Sequence, residues 1–120
     1  MAELKADARG QFVTPAFING VETRAIIDTG ATSVALSSDE ALRLGVGYAG
    51  RARVQIATAG GPKTAYRVTL ASVRVGGVTL HNVDAVVIEG GLTIALLGMS
   101  FLSRTQMSHE GETMVLVKRF

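Results

Sequence analysis

The chain has 120 residues, 48% of them hydrophobic, which suits one compact domain with a single core. Its net charge of +2 comes from 12 Lys and Arg, scattered along the chain, and 10 Asp and Glu, so no basic stripe indicates nucleic acid as a partner. Cysteine is absent, which excludes disulfides, thiolate catalysis and cysteine-based metal sites.

Residues 1–9 are predicted to form a polar arm, and residues 10–120 a single domain. The arm mixes acidic and basic side chains, whereas a signal peptide needs a basic start followed by an apolar run. The longest apolar stretch, residues 90–102, is too short to cross a bilayer. The sequence therefore predicts a soluble chain and leaves its compartment unknown.

A β-hairpin is predicted at the start of the domain. Residues 12–18 and 21–27 have the composition of strands. Asn19-Gly20 between them is the pair that a type I′ turn prefers. The second strand leads directly into Asp28.

A short helix is predicted after an extended segment at residues 34–36. Ser37 is followed three residues later by Glu40, the spacing of a capping box, and the helix is expected to end at Gly45.

The remaining chain is predicted to form short strands separated by glycine-rich turns. The predicted strands cover residues 53–58, 63–70, 72–75, 78–80, 84–88, 92–97 and 114–118, and a brief helix covers residues 99–104. Ala59-Gly60-Gly61 predicts a mobile hairpin tip. Many short strands in a small domain predict an all-β fold, closed into a barrel or arranged as a sandwich, because such sheets must hide their edges.

Asp28 carries the chemistry that the sequence suggests. In Asp28-Thr29-Gly30 a carboxylate stands where an apolar strand breaks into a tight turn. An Asx turn, in which the side chain caps its own backbone, is the simplest interpretation of the tripeptide alone.

The surrounding residues favour a more specific interpretation. They are Phe17-Ile18-Asn19-Gly20, Ile27-Asp28-Thr29-Gly30-Ala31-Thr32, Ala41-Leu42-Arg43-Leu44-Gly45 and Leu96-Leu97-Gly98-Met99-Ser100-Phe101-Leu102. With these segments the sequence resembles the retropepsin-like aspartic peptidases, in particular their bacterial single-domain branch, from about Gly10 through Arg104.

The resemblance implies a retropepsin-like closed β-barrel protomer with one or two short helices and a flap hairpin. It also implies a homodimeric aspartic endopeptidase without cofactor or metal, in which two copies of Asp28 at a two-fold axis activate a water that attacks a peptide or protein substrate. Asp7, Asp39 and Asp84 lack a following Thr-Gly or Ser-Gly, so the second carboxylate must come from another copy.

Several roles follow from the resemblance, residue by residue. The residues expected to support the active-site loop are Thr29, Gly30, Ala31, Leu96, Leu97 and Gly98. The residues expected to form the substrate-binding flap are Ala59, Gly60 and Gly61. Thr32 and Ser33 occupy the stretch where many viral relatives carry a further Asp, so subsite contacts do not transfer.

Two alternatives stay open. One is a catalytically silent retropepsin-fold module that dimerises and binds peptides. The other is an unrelated β-barrel ligand binder in which Asp28 only caps a turn. Full-length bacterial relatives often carry an N-terminal membrane anchor. Association with a membrane is therefore expected only if this chain is the catalytic part of a longer protein that has such an anchor.

Three further signals are interpreted as structural. Residues 45–50 spell G-x-G-x-x-G, but they follow a helix instead of a strand, which argues against a nucleotide site. His81 and His109 stand alone, without metal-ligand spacing. Ser100 is predicted to be a helix cap.

Overall fold

Within residues 1–58 and 60–119, which the computed structural model describes, the chain forms ten strands and two short helices. The strands are β1 (Ala2–Lys5), β2 (Val13–Ile18), β3 (Val21–Ile27), β4 (Val34–Ser37), β5 (Arg53–Thr58), β6 (Gly61–Val75), β7 (Val78–Ile88), β8 (Ala95–Leu97), β9 (Thr105–Glu110) and β10 (Thr113–Lys118). The helices are α1 (Ser38–Arg43) and α2 (Met99–Leu102).

Six strands close into a barrel in the order β2-β3-β8-β4-β7-β6, with β6 returning to β2. The closing contact pairs Phe17 with Arg74 and Ile18 with Val73. The Arg74 guanidinium carbon lies 4.1 Å from the centroid of the Phe17 ring, so a cation–π contact covers the seam. The return of β6 to β2 confirms the predicted closed β-barrel, and β5 lies at an edge of the main sheet.

The hairpin that enters Asp28 has the predicted turn. Asn19 and Gly20 have φ values of 52° and 83°, the left-handed pair that a type I′ turn requires. Asn19 also exchanges hydrogen bonds with Ser72 of β6, its N–H donating to the Ser72 carbonyl over 2.9 Å. The turn therefore contributes to barrel closure as well as to strand reversal.

Helix α1 begins and ends as its sequence predicts. Ser37 Oγ accepts the Glu40 N–H over 3.0 Å, and Gly45 has a φ of 73° after the last turn. The Arg43 guanidinium hydrogen-bonds the Glu40 carboxylate and lowers the pKa of that group, and Thr23 of β3 donates to the same carboxylate. This network ties α1 to β3, the strand that leads into Asp28.

Between residues 63 and 88 the sequence predicted four strands, and that number is wrong. β6 and β7 are each continuous, with 15 and 11 residues. The pairing is interrupted beside Asn82, whose φ is 54°, but it continues in the same register on both sides. A local irregularity therefore resembles a strand end in the sequence.

A second sheet, in the order β1-β10-β9, lies beside the barrel. Part of the predicted polar arm is β1, where Ala2 and Leu4 are buried against the main core, and the boundary at residue 10 stays a prediction. β9 was not predicted, because its burial does not alternate and five of its six residues are exposed. β8 is shorter than the predicted strand over residues 92–97.

Candidate active site

Asp28 follows the last residue of β3 and is half-buried. Its N–H donates to the carbonyl of Leu97 in the neighbouring strand β8 over 3.1 Å. Its Oδ1 accepts the N–H of Gly30 over 2.9 Å, and its carbonyl accepts the N–H of Ala31 over 3.2 Å. These bonds hold the carboxylate in a defined position at the start of the turn.

The turn presents its next two residues to solvent. Thr29 and Gly30 are both exposed in the single chain. A Cβ on Gly30 would lie 3.2 Å from Asp28 Oδ1, so a side chain at this position would crowd the carboxylate. The structure thus places an aspartate and an uncovered Thr-Gly pair together on one surface.

Gly98 lies directly behind the turn formed by residues 28–33, which is called the active turn below. A Cβ at this position would lie 2.3 Å from the Ser33 carbonyl oxygen and 2.6 Å from that of Ala31, so only glycine allows the backbones to approach this closely. The first N–H groups of α2 then hold the turn: Met99 donates to the Ala31 carbonyl over 2.8 Å, and Ser100 donates to the Thr32 carbonyl over 2.9 Å.

Ser100 is not the helix cap that the sequence predicted. The N-cap residue of α2 is Gly98, and no side chain caps that end. Ser100 Oγ instead accepts the Val34 N–H over 2.9 Å and donates to the Asp84 carbonyl over 2.6 Å. The hydroxyl therefore joins β4, β7 and α2 behind the active turn, a contact for which the sequence carries no local signal.

Replacing Ser100 with alanine is expected to lower the free energy of unfolding by about 1 to 3 kcal/mol, because it leaves a part-buried N–H and a carbonyl without their partner. Urea unfolding followed by circular dichroism measures this change. Ser103→Ala is the matched control, since Ser103 is exposed at the end of the same helix. Equal stability of the two variants would contradict the bridging role.

A groove of about 700 Å³ opens beside Asp28. The residues that line it are Asp28, Gly30, Ala31, Thr32, Ser33, Ala35, Ile56, Ala57, Lys63, Val86, Ile88, Gly90, Gly91, Leu92 and Leu96. Four of the residues predicted for the site are therefore groove residues, namely Asp28, Gly30, Ala31 and Leu96. Leu97 and Gly98 are buried behind the turn.

The β5–β6 hairpin forms one wall of this groove. Ile56 and Lys63 are directly opposite each other in the hairpin, and both line the groove together with Ala57. Gly60 and Gly61 lie at the end of the hairpin, and Ala59 lies outside the described residues, so their assignment to a flap stays a prediction.

Sequence reasoning missed most of the groove wall. Ile56, Lys63, Val86, Ile88 and Leu92 were not predicted as site residues, although they line the groove. One signal was present: from Ala85 to Ile88 the chain is apolar at every position, which indicates a strand covered on both faces. One face of this segment packs in the barrel, and the other contributes to the groove.

The remaining signals do not form a second site. Residues 45–50 follow α1 and lead towards β5, the order that the sequence predicted. His109 stacks edge-on against Phe12, with ring centroids 5.1 Å apart. Across the described ranges, no three His, Cys, Asp or Glu side chains come together as metal ligands, and no helix is long and apolar enough to span a membrane.

The sequence of this chain matches a known protein family and two relatives. Residues 14–104 match a family model described as gag-polyprotein putative aspartyl protease. The chain is 37% identical over 100 residues to an uncharacterized protein in the cobV 5′ region of a Sinorhizobium species, and 36% identical over 97 residues to an uncharacterized protein of Rickettsia prowazekii. The matches cover 82% and 79% of this chain but 43% and 41% of the relatives, so the chain spans about two fifths of their length.

Solved structures share the architecture. A retropepsin-like aspartic protease from Rickettsia conorii matches with a TM-score of 0.83 and 32% identity, over 95% of this chain and 87% of that chain. EIAV protease in complex with an inhibitor matches at 0.64 and 18% identity, over 83% and 92% of the two chains. The retroviral protease-like domain of Ddi1 from Leishmania major matches at 0.60 and 23%, over 90% and 81%. The last two likenesses show a common fold.

Proposed function

Because this chain belongs to the gag-polyprotein aspartyl protease family and has its retropepsin-like fold, we propose that it is one protomer of a homodimeric aspartic endopeptidase. The family and the fold are those that the sequence predicted. Catalysis by two copies of Asp28 is the proposal.

The observation that carries the proposal is the environment of Asp28. Its carboxylate opens onto a groove with a largely apolar wall, and one oxygen is held by the Gly30 N–H. Among the described residues no donor reaches the second oxygen. A turn cap would also use one oxygen, so the support for a site shared with a second copy comes from the groove that Asp28 lines and from the exposed Thr29 beside it.

The chemistry of such a pair follows from charge repulsion. Two carboxylates a few ångströms apart do not both ionise, so the active pair holds one proton between them. The ionised member takes a proton from a bound water while the water oxygen attacks the peptide carbonyl carbon. The protonated member gives its proton to the carbonyl oxygen. Collapse of the tetrahedral intermediate breaks the C–N bond and returns a proton to the leaving amine.

Two consequences of this scheme are expected. The rate is highest at acidic to mildly acidic pH, because the pair loses its shared proton as the pH rises. The substrate is a peptide in extended conformation under the β5–β6 hairpin, with apolar side chains against Ile56, Val86 and Leu96.

Cleavage of a proteome-derived peptide library, read by mass spectrometry, tests the proposal directly. An active peptidase yields a consistent set of new termini from the library. A silent peptide-binding module or an unrelated ligand binder yields none, which would refute the enzymatic function.

Specific activity is expected to fall on dilution, because one Asp28 per chain makes half a site and an isologous two-fold interface supplies the other half. Activity is measured against protein concentration with a fluorogenic peptide. At a fixed wild-type concentration, added Asp28→Asn chains should also lower the rate, since mixed dimers carry one carboxylate.

A chain that acts alone gives a different result in both measurements. Its specific activity is independent of concentration, and the added variant leaves the rate unchanged. Either outcome would contradict the dimeric site.

A further inference from the structure

We propose that Lys63 makes one subsite of this groove selective for a glutamate side chain of the substrate. The inference rests on the proposed peptidase function and extends it to the class of substrate. It starts from a lysine in an unusual place, on the groove side of a hairpin wall.

The position of Lys63 follows from strand alternation. On β6 the side chains of Lys63 and Ala65 point to the same face, and Ala65 is fully buried. Lys63 is half-buried, is paired across the hairpin with Ile56, and lines the groove with it. Its charge is therefore directed along the inner wall, where an apolar residue would be expected.

No carboxylate of the described chain neutralises this charge. Neither of the two ion pairs found in residues 1–58 and 60–119 involves Lys63, and its ammonium does not reach Asp28. The side chain extends over Gly91, where a Cβ would lie 3.7 Å from Nζ and 3.5 Å from Cε. The ammonium group therefore has no carboxylate partner at the groove, and an incoming carboxylate would gain a charge-assisted hydrogen bond there.

The rest of the wall selects the shape of that ligand. Apolar side chains surround the groove beside Lys63, contributed by Ile56, Val86, Ile88, Leu92 and Leu96. Among the lining residues the charged side chains are Asp28 and Lys63 only. A substrate side chain that satisfies both features has aliphatic carbons for the wall and a terminal carboxylate for Lys63, which describes glutamate. Repulsion from Asp28 places its carboxylate at the Lys63 end.

Matched peptides test this inference. In a peptide that the protein cleaves, glutamate or its neutral isostere glutamine is placed at one position at a time on both sides of the cleaved bond. At about pH 6, where peptide glutamate is ionised, the wild type is expected to prefer glutamate roughly tenfold in kcat/KM at one position. Higher salt should reduce the preference if it is electrostatic.

Substitutions then assign the preference to one side chain. Lys63→Met should bring the glutamate-to-glutamine ratio close to one, and Lys63→Glu should invert it. Arg53→Met is the matched control, since Arg53 is exposed on β5 of the same hairpin and does not line the groove, and its ratio should equal that of the wild type. Because the readout is a ratio for each variant, a general change in activity does not affect it.

The outcomes separate the two proposals. Cleavage by the wild type without a glutamate preference, or with one that survives in Lys63→Met, overturns the role of Lys63 and leaves the peptidase function standing. Failure to cleave any peptide overturns the peptidase function and this inference with it.

Discussion

Replacing Asp28 with asparagine is expected to eliminate peptide cleavage while the protein stays folded. Asparagine keeps the oxygen that accepts the Gly30 N–H, so the turn is retained. It cannot take a proton from water, and loss of general-base catalysis alone lowers rates by about 100- to 10,000-fold. Cleavage of a fluorogenic peptide across the acidic pH range, together with a melting curve, measures both effects.

Asp39→Asn is the matched control for this experiment. Asp39 is an exposed aspartate in the first turn of α1, and the same change of charge there should leave cleavage unaltered. Dimerisation of Asp28→Asn is expected to be as strong as in the wild type or stronger, because a carboxylate repulsion is removed. Activity that survives in Asp28→Asn would refute the catalytic role and leave Asp28 as a turn cap.

Replacing Gly98 with alanine is expected to damage both stability and activity. The φ and ψ of Gly98 are −89° and −167°, which alanine adopts without strain, so the whole effect is steric. Its methyl group would overlap the carbonyl oxygens of Ser33 and Ala31, two backbone atoms that cannot rotate away. Overpacking of this kind costs about 1 to 3 kcal/mol or more.

The damage should reach the site because Ala31 belongs to the active turn. Relief of the overlap moves that turn away from α2, which displaces Asp28 relative to its partner across the proposed two-fold axis. Urea unfolding and peptide cleavage report the two effects. Gly47→Ala is the control, since apart from its chain neighbours no described heavy atom lies within 4 Å of the added methyl group. Wild-type stability in Gly98→Ala would show that the contact is not tight.

Features coded by neighbouring residues could be predicted from the sequence. The Asn19-Gly20 turn and the Ser37 cap depend on backbone conformations within a few residues, and both are present in the structure. The same holds for the carboxylate at the end of β3, because an apolar strand that ends in Asp28-Thr29-Gly30 is a contiguous pattern. Resemblance to a family then extended these local signals to the closed barrel.

Strand continuity was harder to predict. Asn82 and its polar neighbours gave the appearance of a strand end, but long-range pairing with β6 carries β7 through the irregularity. β9 escaped prediction for the opposite reason, since its mostly exposed side chains show no alternation and its place is determined by pairing with β10. Tertiary contacts override local propensity in both cases.

By itself the sequence determined where the carboxylate stands and how the chain turns on either side of it, because those features depend on adjacent residues. Only the tertiary structure decided what surrounds that carboxylate. Ser100 lies behind the turn, and Ile56 and Lys63 lie on the groove wall, although each of them is 28 or more positions from Asp28 in the sequence. Barrel closure joins these segments, and no local pattern records a contact that forms only when distant strands pair.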